Sequence, residues 1–322
     1  MTPELSIILS VYNGADYLPD ALESLCRQNG LNQIEILAMD DGSSDGSMDI
    51  LRAYSTKLPL TCLTHERTGN WVTNTNLGLA AAKGRYLCLL HQDDLWMEGR
   101  LAWILETIQK EPDCPVLLSA AHFLAPDGRV IGRWRAPFFG KGDRRLDSMD
   151  WFAPLLVQNY LAIPAPVFGR DLLQSLPAMD ENLKYTADWK LWLKLATHHS
   201  AIYRPTPTVG FRIHPTSQTC SLTGDQREYQ HQLESVYHEF EPLLPRDRKG
   251  NQWRAAARLS IAVNLTLAAR YHRRGPPWSM LFTSMLDAGW RGCRLFLRAS
   301  RVVERLWARI RVLTGYRAKS KE

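Results

Sequence analysis

The chain has 322 residues, of which 45% are hydrophobic and 22% are charged, as is ordinary for a folded globular protein. No uncharged apolar run approaches the roughly 20 residues that a membrane-spanning helix needs. The first residues lack the basic start of a signal peptide, so we expect none. The six cysteines show neither paired nor metal-type spacing, and we expect free thiols in a reducing cytoplasm.

Positive charge is concentrated at the carboxyl end of the chain. Residues 245–322 contain 18 Lys and Arg against 4 Asp and Glu, a net charge of +14, while the rest of the chain carries −8. We therefore expect two regions with different partners, a catalytic domain at 1–220 and a helical basic region at 221–322.

Strand and helix patterns alternate through the first hundred residues. Strand patterns fall at 5–11, 34–39, 58–63 and 85–90, and helical patterns fall at 15–28, 47–54 and 72–82. Continuous apolar runs are typical of strands that are covered on both faces. This alternation predicts an α/β fold with a Rossmann-like, mostly parallel central sheet and right-handed crossovers.

The pattern is less regular in the second hundred residues. We predict helices at 99–109 and 188–198, strands at 115–123 and 209–213, and a mobile Gly/Arg/Pro-rich loop at 131–150. Prolines cannot donate to a sheet ladder, so the segment 163–168 is predicted to be an edge or irregular strand.

Three of the predicted strands end in polar or acidic side chains. These are Ser10, Tyr12 and Asn13, then Asp40 and Asp41, and then Asp93 and Asp94. In a parallel sheet all three groups project from the same edge, where open α/β sheets bind ligands. Adjacent acids are costly to bury unless a cation lies beside them. We expect Asp93 and Asp94 to hold a divalent cation and, through it, the diphosphate of a nucleotide-sugar.

Five short motifs resemble those of family 2 glycosyltransferases with the GT-A fold. They are residues 10–13 (SVYN), 39–47 (MDDGSSDGS), 93–94 (DD), 185–189 (YTADW) and 211–215 (FRIHP). The resemblance covers residues 5 to about 220 in the family's order. It implies inverting transfer of a sugar from a nucleoside diphosphate to an acceptor hydroxyl. It also implies a nucleotide-sugar-binding half at 1–97 and an acceptor half at 98–220.

The resemblance also implies the residues of the donor site. They are Ser10, Tyr12, Asn13, Asp41, Asn76, Asp93 and Asp94. Tyr12 would stack on the base while Asp41 accepts its N3–H, which suits uracil or thymine in a UDP- or dTDP-sugar. Asp94 would coordinate Mn²⁺ or Mg²⁺, and Asp93 would bind the metal or the ribose.

On the acceptor side, the resemblance makes Asp188 the general base. Its place at a helix start predicts a lowered pKa. His214 would close over the diphosphate or act as a further metal ligand. Trp189 and Trp192 share one helix face and are predicted to lie in the core.

Two departures from the family leave the donor open. His91 stands where many members have an acid, and the sequence that follows it resembles members that build bacterial surface polysaccharides. Asn76 lacks the arginine that many members place before it. The expected acceptor is a saccharide or a lipid-linked saccharide.

Other interpretations remain open at this stage. Asp41 and Asp188 fit turn or helix-cap positions, and Tyr12 fits simple packing. Residues 42–46 match G-x-S-x-G, so Ser44, Asp188 and His214 could form an α/β-hydrolase triad. The basic region could bind nucleic acid, although no known module supports this and we expect no nucleic-acid partner.

The basic region contains a further pattern. Arginines at 291, 294, 298, 301, 305 and 309 fall in one helical stripe, with apolar residues in the opposite sector. A cationic amphipathic helix of this kind suits an anionic membrane surface. Packing against the catalytic domain is the alternative. We expect a cytoplasmic protein that is peripheral on the inner face of the membrane.

Overall fold

The computed structural model describes residues 2–137, 140, 142–175, 178–214 and 225–319. Ten strands are present in this part of the chain: β1 Leu5–Val11, β2 Ile34–Asp40, β3 Leu60–Thr64, β4 Tyr86–His91, β5 Leu95–Trp96, β6 Val116–Leu124, β7 Val130–Trp134, β8 Arg144–Leu146, β9 Val167–Gly169 and β10 Ala201–Arg212. The α-helices are α1 Leu18–Cys26, α2 Ser47–Tyr54, α3 Trp71–Ala81, α4 Arg100–Lys110, α5 Ser148–Val157, α6 Leu172–Ser175, α7 Ala187–His198, α8 Gln226–Phe240, α9 Arg248–Tyr271, α10 Trp278–Ser300 and α11 Val302–Lys319.

All ten strands belong to one sheet, whose main path is β3-β2-β1-β4-β9-β6-β10-β5. The first four strands are mutually parallel, as predicted. The α/β class with a helical carboxyl-terminal region is therefore confirmed. β7 and β8 pair antiparallel with β6 and β10.

One prediction for the middle of the chain is wrong, and another holds only in part. The segment 163–168 is irregular as far as residue 166, but it is not at an edge, because β9 lies between β4 and β6 and pairs antiparallel with both. The prolines precede the paired residues, and the carbonyls of Pro164 and Ala165 instead accept hydrogen bonds from buried Arg100. The predicted loop at 131–150 contains most of β7, all of β8 and the start of α5, since pairing with distant strands outweighs its Gly- and Pro-rich composition.

Close packing at a glycine fixes the position of α3 against β1 and β2. A Cβ on Gly78 would lie 2.5 Å from Ile8 Cγ2 and 2.9 Å from Met39 Cγ, so only glycine lets this helix approach β1 and β2. α7 buries Trp189 and Trp192, as its spacing predicted, in the hydrophobic cluster that also contains Val72 and Leu79 of α3. The two helices therefore pack on the same face of the sheet.

The carboxyl-terminal helices do not form the predicted continuous stripe. Gly289 (φ 55°) breaks α10, and Arg301 (φ 48°) separates α10 from α11. α11 packs on the catalytic domain, where Glu304 pairs with Arg135 and Ala308 lies against Gly132. The stripe is therefore divided between two helices, with Arg291, Arg294 and Arg298 on α10 and with Arg305 and Arg309 on α11. In the described part of the chain, no helix is long and apolar enough to cross a membrane.

Candidate active site

The three polar strand ends meet at one edge of the sheet. β1 lies between β2 and β4, with Val11 opposite Asp40 and Ser10 opposite His91. The predicted convergence is confirmed. Gln92, which sequence reasoning did not select, ties two of the ends together: its side-chain Oε1 accepts from Tyr12 N at 2.7 Å and its Nε2 donates to Tyr12 O at 2.9 Å.

The acidic end of β4 contains buried polar atoms without partners. Asp94 is 1% exposed; its Oδ1 accepts from Arg212 N at 3.1 Å, but no described group bonds its Oδ2. His91 Nε2 is likewise buried and unpaired among the described residues. Burial and the neighbouring Asp93 carboxylate raise the pKa of Asp94 well above its usual range. Arg212 compensates only in part for the charge of ionised Asp94, so this buried carboxylate is suited to a further, cationic ligand.

The donor set fits a divalent cation. One ligand atom each from His91, Asp93 and Asp94 lie within 4.8 Å of one another. Carboxylate oxygens suit Mn²⁺ and Mg²⁺, and an imidazole nitrogen is also acceptable to Mn²⁺. His91, a departure in the sequence, thus joins the two predicted acids.

Two side chains from the end of β10 and beyond hold the acidic loop. Arg212 is buried, and its guanidinium donates to the carbonyls of Asp93 and Pro126 and pairs with Asp20 at 2.9 Å. His214 Nε2 lies 2.8 Å from Asp93 Oδ2. The ring of His214 therefore faces an acid of the cluster, while Pro215 of the same motif lies outside the described residues.

The predicted base-binding pair lies beside the acids. Asp41 accepts hydrogen bonds from Thr68 N at 2.6 Å, from Thr68 Oγ1 at 2.8 Å and from Gly69 N at 3.0 Å, so it shapes the loop before α3. The guanidinium of Arg67 lies over the ring of Tyr12, 4.4 Å from its centroid. A planar base stacked on Tyr12 would therefore also lie next to the guanidinium of Arg67, which sequence reasoning did not identify.

The other predicted donor-site residues have partners within the protein. Ser10 Oγ lies 3.0 Å from Thr75 Oγ1. Asn13 has a left-handed backbone (φ 45°), and its Oδ1 accepts from Ser44 N at 2.8 Å. Asn76 Nδ2 donates to Met179 O at 2.8 Å. Their roles toward a nucleotide-sugar stay predictions.

Glu181 fastens the segment before α7 to α3. Its carboxylate accepts from Asn76 Nδ2 at 2.9 Å and from Thr73 Oγ1 at 2.8 Å, and its carbonyl accepts from Asn70 Nδ2 at 2.9 Å. Trp71 Nε1 also donates to Lys184 O. These bonds bring the start of α7, and with it Asp188, to the edge that carries the acids.

Asp188 lies in the first turn of α7, partly exposed and bonded to Asn159. Asn159 Nδ2 donates to Asp188 Oδ2 at 2.9 Å. The predicted lowering of its pKa is wrong: burial raises the pKa of Asp188 from 3.8 to about 6, although hydrogen bonds from Trp189 N and Asn159 oppose this. Desolvation outweighs the helix dipole here. A carboxylate with this pKa is suited to general-base catalysis near neutral pH.

The hydrolase triad is not assembled. Ser44 Oγ contacts Asn13 Oδ1 at 3.4 Å, Asp188 binds Asn159, and His214 Nε2 faces Asp93. The three side chains of that alternative therefore have separate partners.

Comparison with known proteins agrees with this geometry. A family model described as glycosyl transferase family 2 matches residues 6–153. An uncharacterized glycosyltransferase of Rickettsia typhi is 26% identical over 231 residues, which are 71% of this chain and 70% of that protein. Glycosyltransferase GlyG of Streptococcus pneumoniae is 30% identical over 119 residues, 37% of this chain and 39% of that protein.

Solved structures share the fold. S. aureus TarS residues 1–349, crystallised with UDP-GlcNAc, superpose with a TM-score of 0.61 at 15% identity, over 91% of this chain and 90% of that one. Mannosyltransferase PcManGT from Pyrobaculum calidifontis, in complex with GDP-Man and Mn²⁺, gives a TM-score of 0.50 at 16% identity, over 97% of this chain and 88% of that one.

Proposed function

We propose, from the premise that this chain is a family 2 glycosyltransferase with the GT-A fold, that it is a metal-dependent inverting hexosyltransferase. The donor would be a UDP- or dTDP-sugar. The acceptor would be a hydroxyl of a saccharide or lipid-linked saccharide in cell-surface polysaccharide biosynthesis.

One observation carries this proposal. The unpaired Asp94 Oδ2 and His91 Nε2 lie buried beside Asp93, at the sheet edge that also carries Tyr12 and Asp41. Asp93 faces His214, and Arg212 compensates Asp94 only in part, so the buried and unpaired oxygen of Asp94 favours a divalent cation. The base-binding pair at the same edge supports a nucleotide as the cation's second ligand. The structural neighbour TarS, crystallised with UDP and with UDP-GlcNAc, supports the same class of donor.

Each residue then has a task. Asp93 and Asp94, with His91 or His214 beside them, would hold Mn²⁺ or Mg²⁺, which when bound neutralises the charge that a leaving diphosphate gains. Arg212 keeps the acidic loop in place through the Asp93 carbonyl. Ser10, Asn13 and Asn76 shape the donor pocket around Tyr12 and Asp41.

Asp188 would remove the proton from the acceptor hydroxyl as that oxygen attacks the sugar from the face opposite the diphosphate. The pKa of about 6 leaves the carboxylate mostly ionised at neutral pH yet basic enough to take a proton. Asn159 Nδ2 and Trp189 N donate to this carboxylate and orient it, and its partial exposure leaves it accessible to an acceptor hydroxyl.

Calorimetric titration with UDP-, dTDP- and GDP-sugars, with and without Mn²⁺, tests the proposal. We expect metal-dependent binding of a pyrimidine nucleotide-sugar, because Asp41 accepts from an imide N–H that a pyrimidine such as uracil presents. Tighter binding of a GDP-sugar would contradict the base assignment. Absence of binding by every donor, with or without Mn²⁺, would contradict the proposal as a whole.

We further propose that the carboxyl-terminal helices attach the enzyme to an anionic membrane from the cytoplasmic side. Phe282 is 63% exposed, Leu286 65% and Trp290 80%, and Trp278 shares the face of the first two. Between residues 273 and 311 there are nine arginines and two acids. Monomeric proteins rarely expose so many large apolar side chains together, and the arginines favour anionic lipid.

The variant with Trp278→Ser, Phe282→Ser and Leu286→Ser should lose at least about tenfold in its affinity for phosphatidylglycerol-containing vesicles, since three apolar side chains leave the lipid interface. Co-sedimentation measures this. Leu77→Ser, which removes an exposed apolar side chain of α3, is the control and should bind as wild type does. Equal vesicle binding by the triple variant would exclude this face as the attachment site.

A further inference from the structure

A chain of polar side chains leads away from Asp188 into the carboxyl-terminal helices. Asn159 bonds Asp188, and the adjacent Gln158 accepts through its Oε1 from Asn264 Nδ2 at 3.0 Å and from Ser260 Oγ at 3.1 Å. The chain ends at α11, where Arg305 Nη2 donates to Asn264 Oδ1 at 3.3 Å. Residues of α9 and α11 therefore bond the segment that places Asn159 beside the candidate general base.

This row is a partly open surface rather than closed core. Gln158, Asn264 and Arg305 each keep part of their surface exposed, as do Tyr185 and Tyr229 beside them. The rings of Tyr185 and Tyr229 meet edge to face, with centroids 5.4 Å apart. Tyr185 lies three residues before Asp188. Amides and tyrosine rings next to a general base are suited to binding a saccharide.

The end of the row carries uncompensated positive charge. Burial and the neighbouring Arg309 lower the pKa of Arg305 to about 10, although Tyr229 opposes this. No carboxylate is among these influences in the described part of the chain. The nearest acid along α11, Glu304, pairs with Arg135 and Arg301 instead. Two adjacent arginines without an acidic partner are suited to an anion such as a phosphate.

We propose that Arg305, supported by Arg309, binds a phosphate or carboxylate group of the acceptor, so that the enzyme selects an anionic saccharide. This rests on the proposed sugar transfer and names its acceptor class. Asn264 and Gln158 fix the distance between the anion and Asp188, and the tyrosines contact the sugar that carries the attacking hydroxyl.

The test uses full-length protein saturated with UDP and Mn²⁺, so that the donor site is filled. Binding of glucose 1-phosphate and of methyl glucoside is measured by ligand-observed NMR. We expect glucose 1-phosphate to bind about tenfold or more tightly than methyl glucoside, because its phosphate accepts a charge-assisted hydrogen bond from Arg305. Arg305→Gln, which can still bond Asn264, should abolish that preference.

Two further variants complete the comparison. Arg309→Gln lies on an exposed position, so it should fold as wild type and lose part of the preference. Arg298→Gln removes the same charge from exposed α10 and should leave the preference unchanged. Absence of a phosphate preference in the wild type, or equal losses in Arg298→Gln and Arg305→Gln, would overturn the inference.

UDP binding in the same samples separates the two proposals. If UDP with Mn²⁺ fails to bind, the proposed function fails; if UDP binds and glucose 1-phosphate is not preferred, only the acceptor assignment fails. Vesicle co-sedimentation separates two sources of phosphate. If Arg305→Gln weakens sedimentation with anionic vesicles as strongly as it weakens sugar phosphate binding, Arg305 contacts lipid headgroups and the acceptor assignment is overturned.

Discussion

Asp188→Asn should lower the rate of sugar transfer by about 10³-fold while making the folded protein more stable at neutral pH. General-base catalysis contributes about 10²–10⁴-fold, and an amide cannot accept the proton. Burial raises the pKa of the Asp188 carboxyl to about 6, so the fold holds its ionised form at a cost. Allowing for the partial exposure of the side chain, removing that cost should add about 1–2 kcal/mol and raise Tm by about 2–4 °C.

The sign of the stability change follows from the direction of the pKa shift. Because the pKa of Asp188 is higher in the folded protein than its ordinary 3.8, the free energy of unfolding of the wild type falls as pH rises from about 4 to 6. The advantage of Asp188→Asn should therefore be absent near pH 4 and complete above pH 6. In the wild type, transfer should fall as pH drops through about 6, because Asp188 becomes protonated.

Asp49→Asn is the matched control, because Asp49 also lies in the first turn of a helix but is exposed and pairs with Arg52. There the substitution removes a favourable interaction with the helix dipole and should leave Tm unchanged or slightly lower. An Asp188→Asn enzyme that transfers sugar at the wild-type rate would exclude Asp188 as the base. A fall in Tm at neutral pH would contradict the account of its burial.

Mn²⁺ with UDP should raise the Tm of the wild type, and Asp94→Asn should abolish this shift. Ligands at about 100 times their Kd stabilise a protein by about 2.7 kcal/mol, which here corresponds to roughly 5 °C. Asn matches the size of the buried Asp94 and keeps an acceptor oxygen for Arg212 N, so the unliganded variant should melt no lower than the wild type. It offers no anionic ligand in place of the unpaired Oδ2.

Differential scanning fluorimetry measures the Tm of the wild type and of Asp94→Asn, each with and without Mn²⁺ and UDP. Asp16→Asn removes a carboxylate at an exposed position after β1 and should keep the full Mn²⁺-UDP shift. If Asp94→Asn keeps the shift as well, Asp94 is not a ligand. If Mn²⁺ changes nothing while UDP alone stabilises the wild type, nucleotide binding does not depend on the acids.

The fold of the first hundred residues was predictable because its information is local. Continuous apolar strands, short helices between them and acids at the strand ends specify a parallel sheet with one polar edge, and the strands β1, β2 and β4 bring those ends together as expected. The motifs also predicted the family whose model matches residues 6–153. Each of these signals occupies fewer than about fifteen consecutive residues, within which periodicity and turn chemistry operate.

Beyond residue 130 the pairing partners of a segment decide its structure. β9 lies in the middle of the sheet although prolines come directly before it, since β4 and β6 supply partners on both sides. α11 packs on β7 although its arginine spacing favours a solvent-facing stripe, because Glu304 and Ala308 find partners on the catalytic domain. The strands that pair with β9 and the residues that contact α11 lie far away in the sequence, so the local pattern of neither segment reveals them.

By itself the sequence determined the fold class, the acidic strand ends and the identity of Asp188 as a candidate base. Only the tertiary structure decided the hydrogen-bond partners of those groups and their pKa values. The contact of Asn159 with Asp188 spans 29 positions and that of Arg212 with Asp20 spans 192. The unpaired state of Asp94 Oδ2 and the pKa of Asp188 depend on everything packed around them, because desolvation is a property of the whole surrounding volume.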